Sequence, residues 1–554
     1  MIKRTVSLLL AAALFFLLFP GCGQEKAAGE EKEGTGMAAR ESKEFLLSAF
    51  TYPEEVLYPL PASDGGEALS ELLRRTVKSG YAGMKHQEGT SLVHSPYFSL
   101  TAEGVEVPVY AAPVYIATGN RGALHSFASV DLAFGKEKEA VFILTGLSGT
   151  DLSEPHLFSS DEKARVELKD GAAEITLTGF GTYTLLFHDD QESAFTLFVR
   201  PYADEEEEIA RLRETRGEDK VRVFEPGLHE ITYELWDEDD VVFYLKSGAV
   251  LLPKHTFDMD SDEDIAGKRE ERDPEYEASG VTRFPVMAAF QKKGLRLLGR
   301  GTIDMTGMDW HERCGPTFAA CEDILVEDLI VVNAAEWSLI VSGCRDAVIR
   351  RCAVFGFRTN SDAFAVASSE QVTVTDSFAR TGDDMFQVKN TGGRETKNVL
   401  FTRCQAWGSK ARCYGVTGEV MGDISDVTFE KSFVIWRDAI WDNDRIGSLV
   451  VIRETGTGKI ENILFRDIEV WYDAGRAVNC VVYSPEIAGS EALGVVFENV
   501  TYRAKMESQC MINAGEGNRM DVLFKNVTAN GERITPENLA KKVLSDAPGL
   551  CRAE

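Results

Sequence analysis

Two aspartate-led segments of this chain share one pattern. Arg358-Thr359-Asn360-Ser361-Asp362-Ala363-Phe364-Ala365-Val366 is followed, about 22 residues on, by Thr381-Gly382-Asp383-Asp384-Met385-Phe386-Gln387-Val388-Lys389-Asn390. In each, apolar residues stand at the second and fourth places after an aspartate, which is the alternation of a β-strand. If such strands stack at about 4.8 Å, Asp362 and Asp384 become neighbours, with Asp383 beside them. Carboxyl groups crowded in this way raise at least one pKa among them. One then keeps a proton to donate while another accepts, the division of labour of general acid–base catalysis, here without a metal.

A repeat supplies the stack. Its unit is a polar residue followed by alternating apolar positions, a second polar residue and a small or apolar one. It occurs at Asp323–Leu329, Asp346–Cys352, Gln371–Ser377, Asn398–Cys404, Asp426–Ser432, Asn462–Ile468, Gly494–Val500 and Asp521–Val527. Each copy buries its apolar set only between copies above and below, the logic of a solenoid. The internal period is two, not 3.6. The sequence therefore predicts a right-handed parallel β-helix over residues 221–532, with the variable intervals placed in turns and residues 533–554 as a C-terminal capping helix centred on Pro536–Leu544. Short alternating runs between 95 and 201, such as Val105–Val114 and Ala194–Val199, predict an N-terminal β-sandwich. The fold class is all-β. Residues 46–94 read as a lead-in containing a helix at Gly66–Ser79, and the acidic 202–220 as a linker.

Residues 1–22 have the form of a lipoprotein-type signal: Lys3 and Arg4, a largely apolar run from Val6 to Phe19, then Pro20-Gly21-Cys22. Cys22 is the expected lipidation site and 23–45 a disordered tether, which makes the protein extracytoplasmic, membrane-anchored through its N-terminal lipid or else secreted. A formal net charge of −30 excludes nucleic acid as a partner by repulsion. Cys352 and Cys404 share one place in the repeat with Ser377 and Ser432, an inward stack of small residues that leaves a Cys352–Cys404 bridge open. Asp258, Asp260, Asp262 and Asp264 alternate but lack the glycine and glutamate of a calcium loop, so no metal and no cofactor are expected.

The segment Phe224–Ile468 resembles the pectinase-type β-helix glycoside hydrolases: family 28, the polygalacturonases, and, in domain order, family 49, the dextranases and isopullulanases. Gly301-Thr302-Ile303-Asp304…Trp310 is similar to the Gly-x-Ile-Asp…Trp of family 28, Asn360-Ser361-Asp362 to its Asn-Thr-Asp, and Gly382-Asp383-Asp384 to its Gly/Gln-Asp-Asp. The resemblance implies inverting hydrolysis of O-glycosidic bonds, with Asp383 as general acid and Asp362 and Asp384 holding and deprotonating water. Where the family has Gly-His-Gly, this chain has Ala411-Arg412-Cys413-Tyr414. Where it has Arg-Ile-Lys on a uronate carboxylate, this chain has Val451-Ile452-Arg453. No histidine follows His311. These departures favour a neutral glycan over polygalacturonate. Expected substrate-binding residues are Asn360, Arg358, Lys389, Arg412, Tyr414, Trp436, Trp441 and Arg453, with Trp407 a further aromatic candidate beside Asp442 and Asp444. The rival readings are a polygalacturonase-like enzyme on pectin, a polysaccharide lyase with Arg412 or Arg453 assisting a base, and a glycan-binding coil that does not cut.

Overall fold

The computed structural model describes residues 40–41, 46–60, 66–75, 85–134, 138–256, 258–259, 285–392, 394–408, 410–438, 446–482, 489–503, 510–546 and 549–554. Cys22, Asp260, Asp262, Asp264, Trp441, Asp442 and Asp444 lie outside them. No helix among the described residues is long and apolar enough to cross a membrane.

From Val221 onward the chain winds into a right-handed parallel β-helix. A 22-stranded sheet takes two successive strands of most turns, and an 11-stranded sheet forms the remaining face. The repeat explains the turn geometry. Its leading polar residues Asp323, Asp346, Asn398, Asp426 and Asn462 all take positive φ, between 54° and 58°. Asp and Asn tolerate the left-handed region better than other side chains, so they mark the bends that let each strand wrap the core. The alternating apolar residues stack inward in register. Phe401, Phe429, Phe465, Phe497 and Phe524 form one such column, with neighbouring rings 4.8–5.4 Å apart. Each buried ring contributes about 1.5–3 kcal/mol by leaving water.

Cysteines fill an inward ladder without bridging. Cys352 N–H donates to Ser377 Oγ and Cys404 N–H to Ser432 Oγ. Ser377 therefore stands one turn between Cys352 and Cys404, which removes the Cys352–Cys404 bridge; both thiols are free and buried.

Three boundaries differ from the sequence reading. Leu46–Ala49 and Val93–His94 pair into the larger sandwich sheet, so the lead-in already belongs to the sandwich around its helix Glu67–Arg75. The linker holds a helix, Glu205–Arg216, N-capped by Asp204, whose Ile209 packs on Val221, Val242 and Tyr244. It covers the first coil, whose open end would otherwise expose unpaired strands. At the other end the helix is only Leu539–Lys542. Val543–Ser545 and Cys551–Ala553 then pair onto Cys510–Asn513 and Arg519–Lys525 as a further turn of coil.

The larger sandwich sheet packs flat on the coil. Phe127, Phe158 and Phe198 share a core with Phe355, Phe378, Trp407 and Trp436. Buried polar groups fix the contact. Arg380 Nη1 donates to His125 Nδ1 at 2.8 Å, and Arg200 pairs with Asp328 at 2.9 Å. Burial, then the neighbouring Arg380 charge, hold the His125 imidazole well below its usual pKa, which suits it to accept that hydrogen bond.

Candidate active site

Strand register builds the site. Phe364 pairs with Phe386, Phe386 with Tyr414, and Tyr414 with Leu449 along the 11-stranded sheet. Asp362, Asp384 and Arg412 each stand two residues before their strand's paired aromatic, so they form one column. Hydrogen bonds from Ala363 N to Asp384 O (2.9 Å) and from Met385 N to Arg412 O (3.0 Å) lock the turns together. Gly382 is needed for this closeness: a Cβ there would lie 2.2 Å from the Arg358 carbonyl oxygen. The turn it allows delivers Asp383 beside the column.

The three aspartates are buried and differently held. Asp383 accepts from Asn360 N (3.0 Å) and Asp384 N (2.9 Å). Burial, and next the Asp384 charge, push its carboxyl up to about 6. Asp362 is pushed well above the usual carboxylate range by burial, then by Asp383 and Asp384. One of its oxygens accepts from Gln387 Nε2 at 2.8 Å, while Oδ1 is buried with no hydrogen-bond partner. Asp384 accepts from the backbone N–H of Arg412 (3.1 Å) and from its Nη1 (3.2 Å).

Around them opens a cavity of about 340 Å³. Asn360, Lys389 and Arg412 line it, as expected from the sequence, and so do Trp337, Thr417, Glu419, Ile446 and Glu454, which sequence reasoning missed. Lys389 Nζ lies 2.6 Å from Glu419 and over the Trp337 ring; Arg412 Nη2 lies 2.5 Å from Glu454. Burial opposes the charge on Lys389, but Glu419, Asp384 and Asp362 outweigh it and raise its pKa. Arg412 is likewise disfavoured by burial and raised by Asp384 and Glu454, which unfits it to be a base. Alternation carried the missing signal: Thr417 and Glu419 share the face of Gly415, opposite Tyr414 and Val416.

Five expected contacts fall elsewhere. Tyr414 is fully buried in an inward column, stacked 4.9 Å from Phe386, with its hydroxyl donating to Phe433 O. Arg412 lies before the strand, which begins at Tyr414; Tyr414 takes the inward face of Phe386, with which it pairs. Trp436 and Trp407 lie under the sandwich, where Trp436 stacks on Tyr472 and donates to Asp438. Arg358 is wholly buried, with Nη2 3.5 Å from Thr306 O, and does not line the cavity. Arg453 is 1% exposed and donates to Ser490 Oγ and Gly458 O; the next residue, Glu454, takes the outward place.

Among the described residues, two groups have donor atoms within 4.8 Å of one another, close enough to share a cation: Asp362, Asp383 and Asp384, and His86, His255 and Asp309. In the second, Lys85 Nζ lies 2.6 Å from Asp309 and supplies positive charge there itself.

Residues 284–544 match the family model of glycosyl hydrolases family 28. That span holds the whole carboxyl column. A probable polygalacturonase of Arabidopsis thaliana is 23% identical over 199 residues, 32% of this chain and 41% of its own length. A second polygalacturonase of that plant is 22% identical over 190 residues, 31% of this chain and 41% of its own. The matches thus span about two-fifths of these curated relatives. Dex49A from Penicillium minioluteum is similar in fold with a TM-score of 0.61 at 11% identity, covering 94% of this chain and all of that one. The likeness to family 28 read from the motifs is therefore found in the family model and in the curated relatives, and Dex49A shares the fold.

Proposed function

We propose that this protein is a glycoside hydrolase that cleaves O-glycosidic bonds of a neutral glycan with inversion, through Asp383, Asp362 and Asp384. The observation that carries this reading is the carboxyl column with its split environment: Asp383 raised to about 6 and bonded by the Asn360 N–H, Asp362 raised well above the usual range by burial, and Asp384 in contact with Arg412. Asp383 donates a proton to the leaving oxygen. Asp384, paired with Arg412, takes the proton of a water that the unpartnered Oδ1 of Asp362 helps to seat.

Charge supports a neutral substrate. Five carboxyl groups (Asp362, Asp383, Asp384, Glu419, Glu454) face two cations (Lys389, Arg412) in the cavity, and both cations are bound to acids. A uronate would meet an excess of like charge, and both cations among the described lining residues are already paired with acids. We also infer export, with the lipid on Cys22; mass spectrometry of the mature N-terminus and membrane fractionation test it.

The test is reducing-sugar release over α-glucans, galactans and polygalacturonate, with Asp383→Asn as control and the product anomer read by NMR. Release from a neutral glycan with inverted configuration, abolished in the variant, is expected. The nearest carboxyl oxygens lie within 4.8 Å, closer than the roughly 6.5–9.5 Å between carboxyl groups in most inverting pairs. The anomer is therefore the sharpest readout, and a retained configuration would overturn the mechanism. Release confined to polygalacturonate would overturn the substrate class, and an unsaturated, ultraviolet-absorbing product would make the protein a lyase.

A further inference from the structure

A second cation stands at the turn that holds Asp383, and it is tied to the sandwich: Lys410 bonds Thr359, and the N–H of the next residue, Asn360, donates to Asp383. Lys410 is 7% exposed; its Nζ donates to Thr359 Oγ1 at 3.3 Å and lies 4.7 Å over the Tyr115 ring. No carboxylate among the described residues forms a salt bridge with it, whereas Arg412 is committed to Asp384 and Glu454. Burial lowers the Lys410 pKa, and Asp383 is the charge that favours its ammonium form.

Tyr115 belongs to the sandwich strand Tyr110–Ile116 and packs with Ala117 on Phe357 of the coil. Its hydroxyl donates to Asn120 Oδ1 at 2.8 Å. The turn after it is pinned by Asp438, a buried coil carboxylate. Asp438 accepts from Ala117 N (3.1 Å), Thr118 N (3.4 Å), Thr118 Oγ1 (3.1 Å) and Gln191 Nε2 (3.3 Å), all from the sandwich, and from Trp436 Nε1 (3.0 Å). Asp438 thus fixes the turn, the turn fixes Tyr115, and the Tyr115 ring covers Lys410.

We propose that the sandwich serves the site chemically: Tyr115 holds Lys410, and Lys410 is a positioning residue that sets the proton affinity of Asp383. The proposal rests on Asp383 being the general acid. The other groups facing Asp383 are Asp384 beside it, Asp362 one coil earlier, Arg412 one coil later, and the Asn360 N–H. Burial, then Asp384, raise its pKa; the Asn360 N–H and Arg412 lower it. Lys410 adds to the lowering side, keeping the acid ready to release its proton.

The test needs no substrate at first. Thermal unfolding of the full chain is followed from about pH 5 to about pH 8 for Lys410→Met, Asp383→Asn and the double variant. The loss of Tm in Lys410→Met is expected to grow as pH rises through about 6, where Asp383 ionises, and to be independent of pH in the Asp383→Asn background. Tyr115→Ala should reproduce the pH-dependent loss, and Tyr115→Phe, which keeps the ring face, should not. On an active substrate the basic limb of kcat/KM should move up by about 0.5–1 pH unit in Lys410→Met and stay in place in Lys410→Arg. A loss of equal size at every pH and in both backgrounds overturns the proposal, reducing Lys410 to packing. An active Asp383→Asn overturns the general-acid assignment instead, while the unfolding cycle still reads the Lys410–Asp383 coupling.

Discussion

Arg412 reaches one turn back along the coil and grips Asp384 twice, with its backbone N–H at 3.1 Å and its Nη1 at 3.2 Å. It stands where the resemblance to family 28 would put a histidine. A guanidinium cannot exchange a proton near neutral pH, so its contribution is a fixed charge. Arg412→Met is expected to lower kcat/KM about 100-fold, the scale of losing one preorganised charge contact. Arg412→Lys should recover little of it, because an ammonium cannot bridge Asp384 and Glu454 as a planar fork does. Steady-state kinetics on the best polymer of the screen measure both.

Asp383 links catalysis to stability. With its carboxyl pushed up to about 6, the acid loses its proton above that pH, and the basic limb of the rate profile should fall there. The sign for folding follows from the same shift. A carboxyl whose pKa is higher folded than unfolded contributes stability below the unfolded value near 4 and loses it as pH rises through about 6. Asp383→Asn should therefore raise the unfolding free energy by roughly 2 kcal/mol at neutral pH and by little near pH 4. Chemical denaturation at the two pH values checks this. A variant that is dead, correctly folded and more stable only at neutral pH is the expected result.

The coil was legible in the sequence because its constraints are local. Asp and Asn recur where the backbone must enter positive φ, and the alternating Phe, Val and Ile between them can only face inward. The column Asp362–Asp384–Arg412 followed from the same register. Tyr414 and Arg453 were misread because membership in a motif does not give parity: each faces inward, while Glu419 and Glu454, in no motif, take the outward places. Trp407 and Trp436 were misplaced for another reason. They lie on the 22-stranded sheet, and nothing within their own turns tells that a sandwich about 200 residues earlier covers that face.

The two acids that hold the cations set the charge preference. Glu419→Gln frees Lys389, and Glu454→Gln frees one side of Arg412. In the double variant the lining changes from five carboxyl groups to three, against the same two cations. Binding of tri-galacturonate is expected to tighten about 10-fold or more, since each charge-assisted pair is worth about 1.5–3 kcal/mol. Binding of a neutral oligosaccharide should change far less. Calorimetric titration of both ligands in an Asp383→Asn background separates binding from turnover. Unchanged affinity for the uronate would remove the electrostatic argument for a neutral substrate.

Trp337 and Tyr414 make opposite predictions from similar chemistry. Trp337 stands in register with Asp362, lines the cavity and lies 5.0 Å from Lys389 Nζ, so its ring is the aromatic surface that the described lining residues offer a sugar. Trp337→Ala should raise KM about 10-fold or more and cost less stability than Tyr414→Ala, because its ring is only partly buried, against Cys314, Ile340 and Ala365. Tyr414 is stacked in the core and spends its hydroxyl on Phe433 O. Tyr414→Phe should cost about 1 kcal/mol for that hydrogen bond and leave KM unchanged. Tyr414→Ala should cost about 3–5 kcal/mol by opening a cavity between Phe386 and Phe429. A KM effect in Tyr414→Phe would mean that the strand can turn its other face to the cleft, and the inward assignment would then fail.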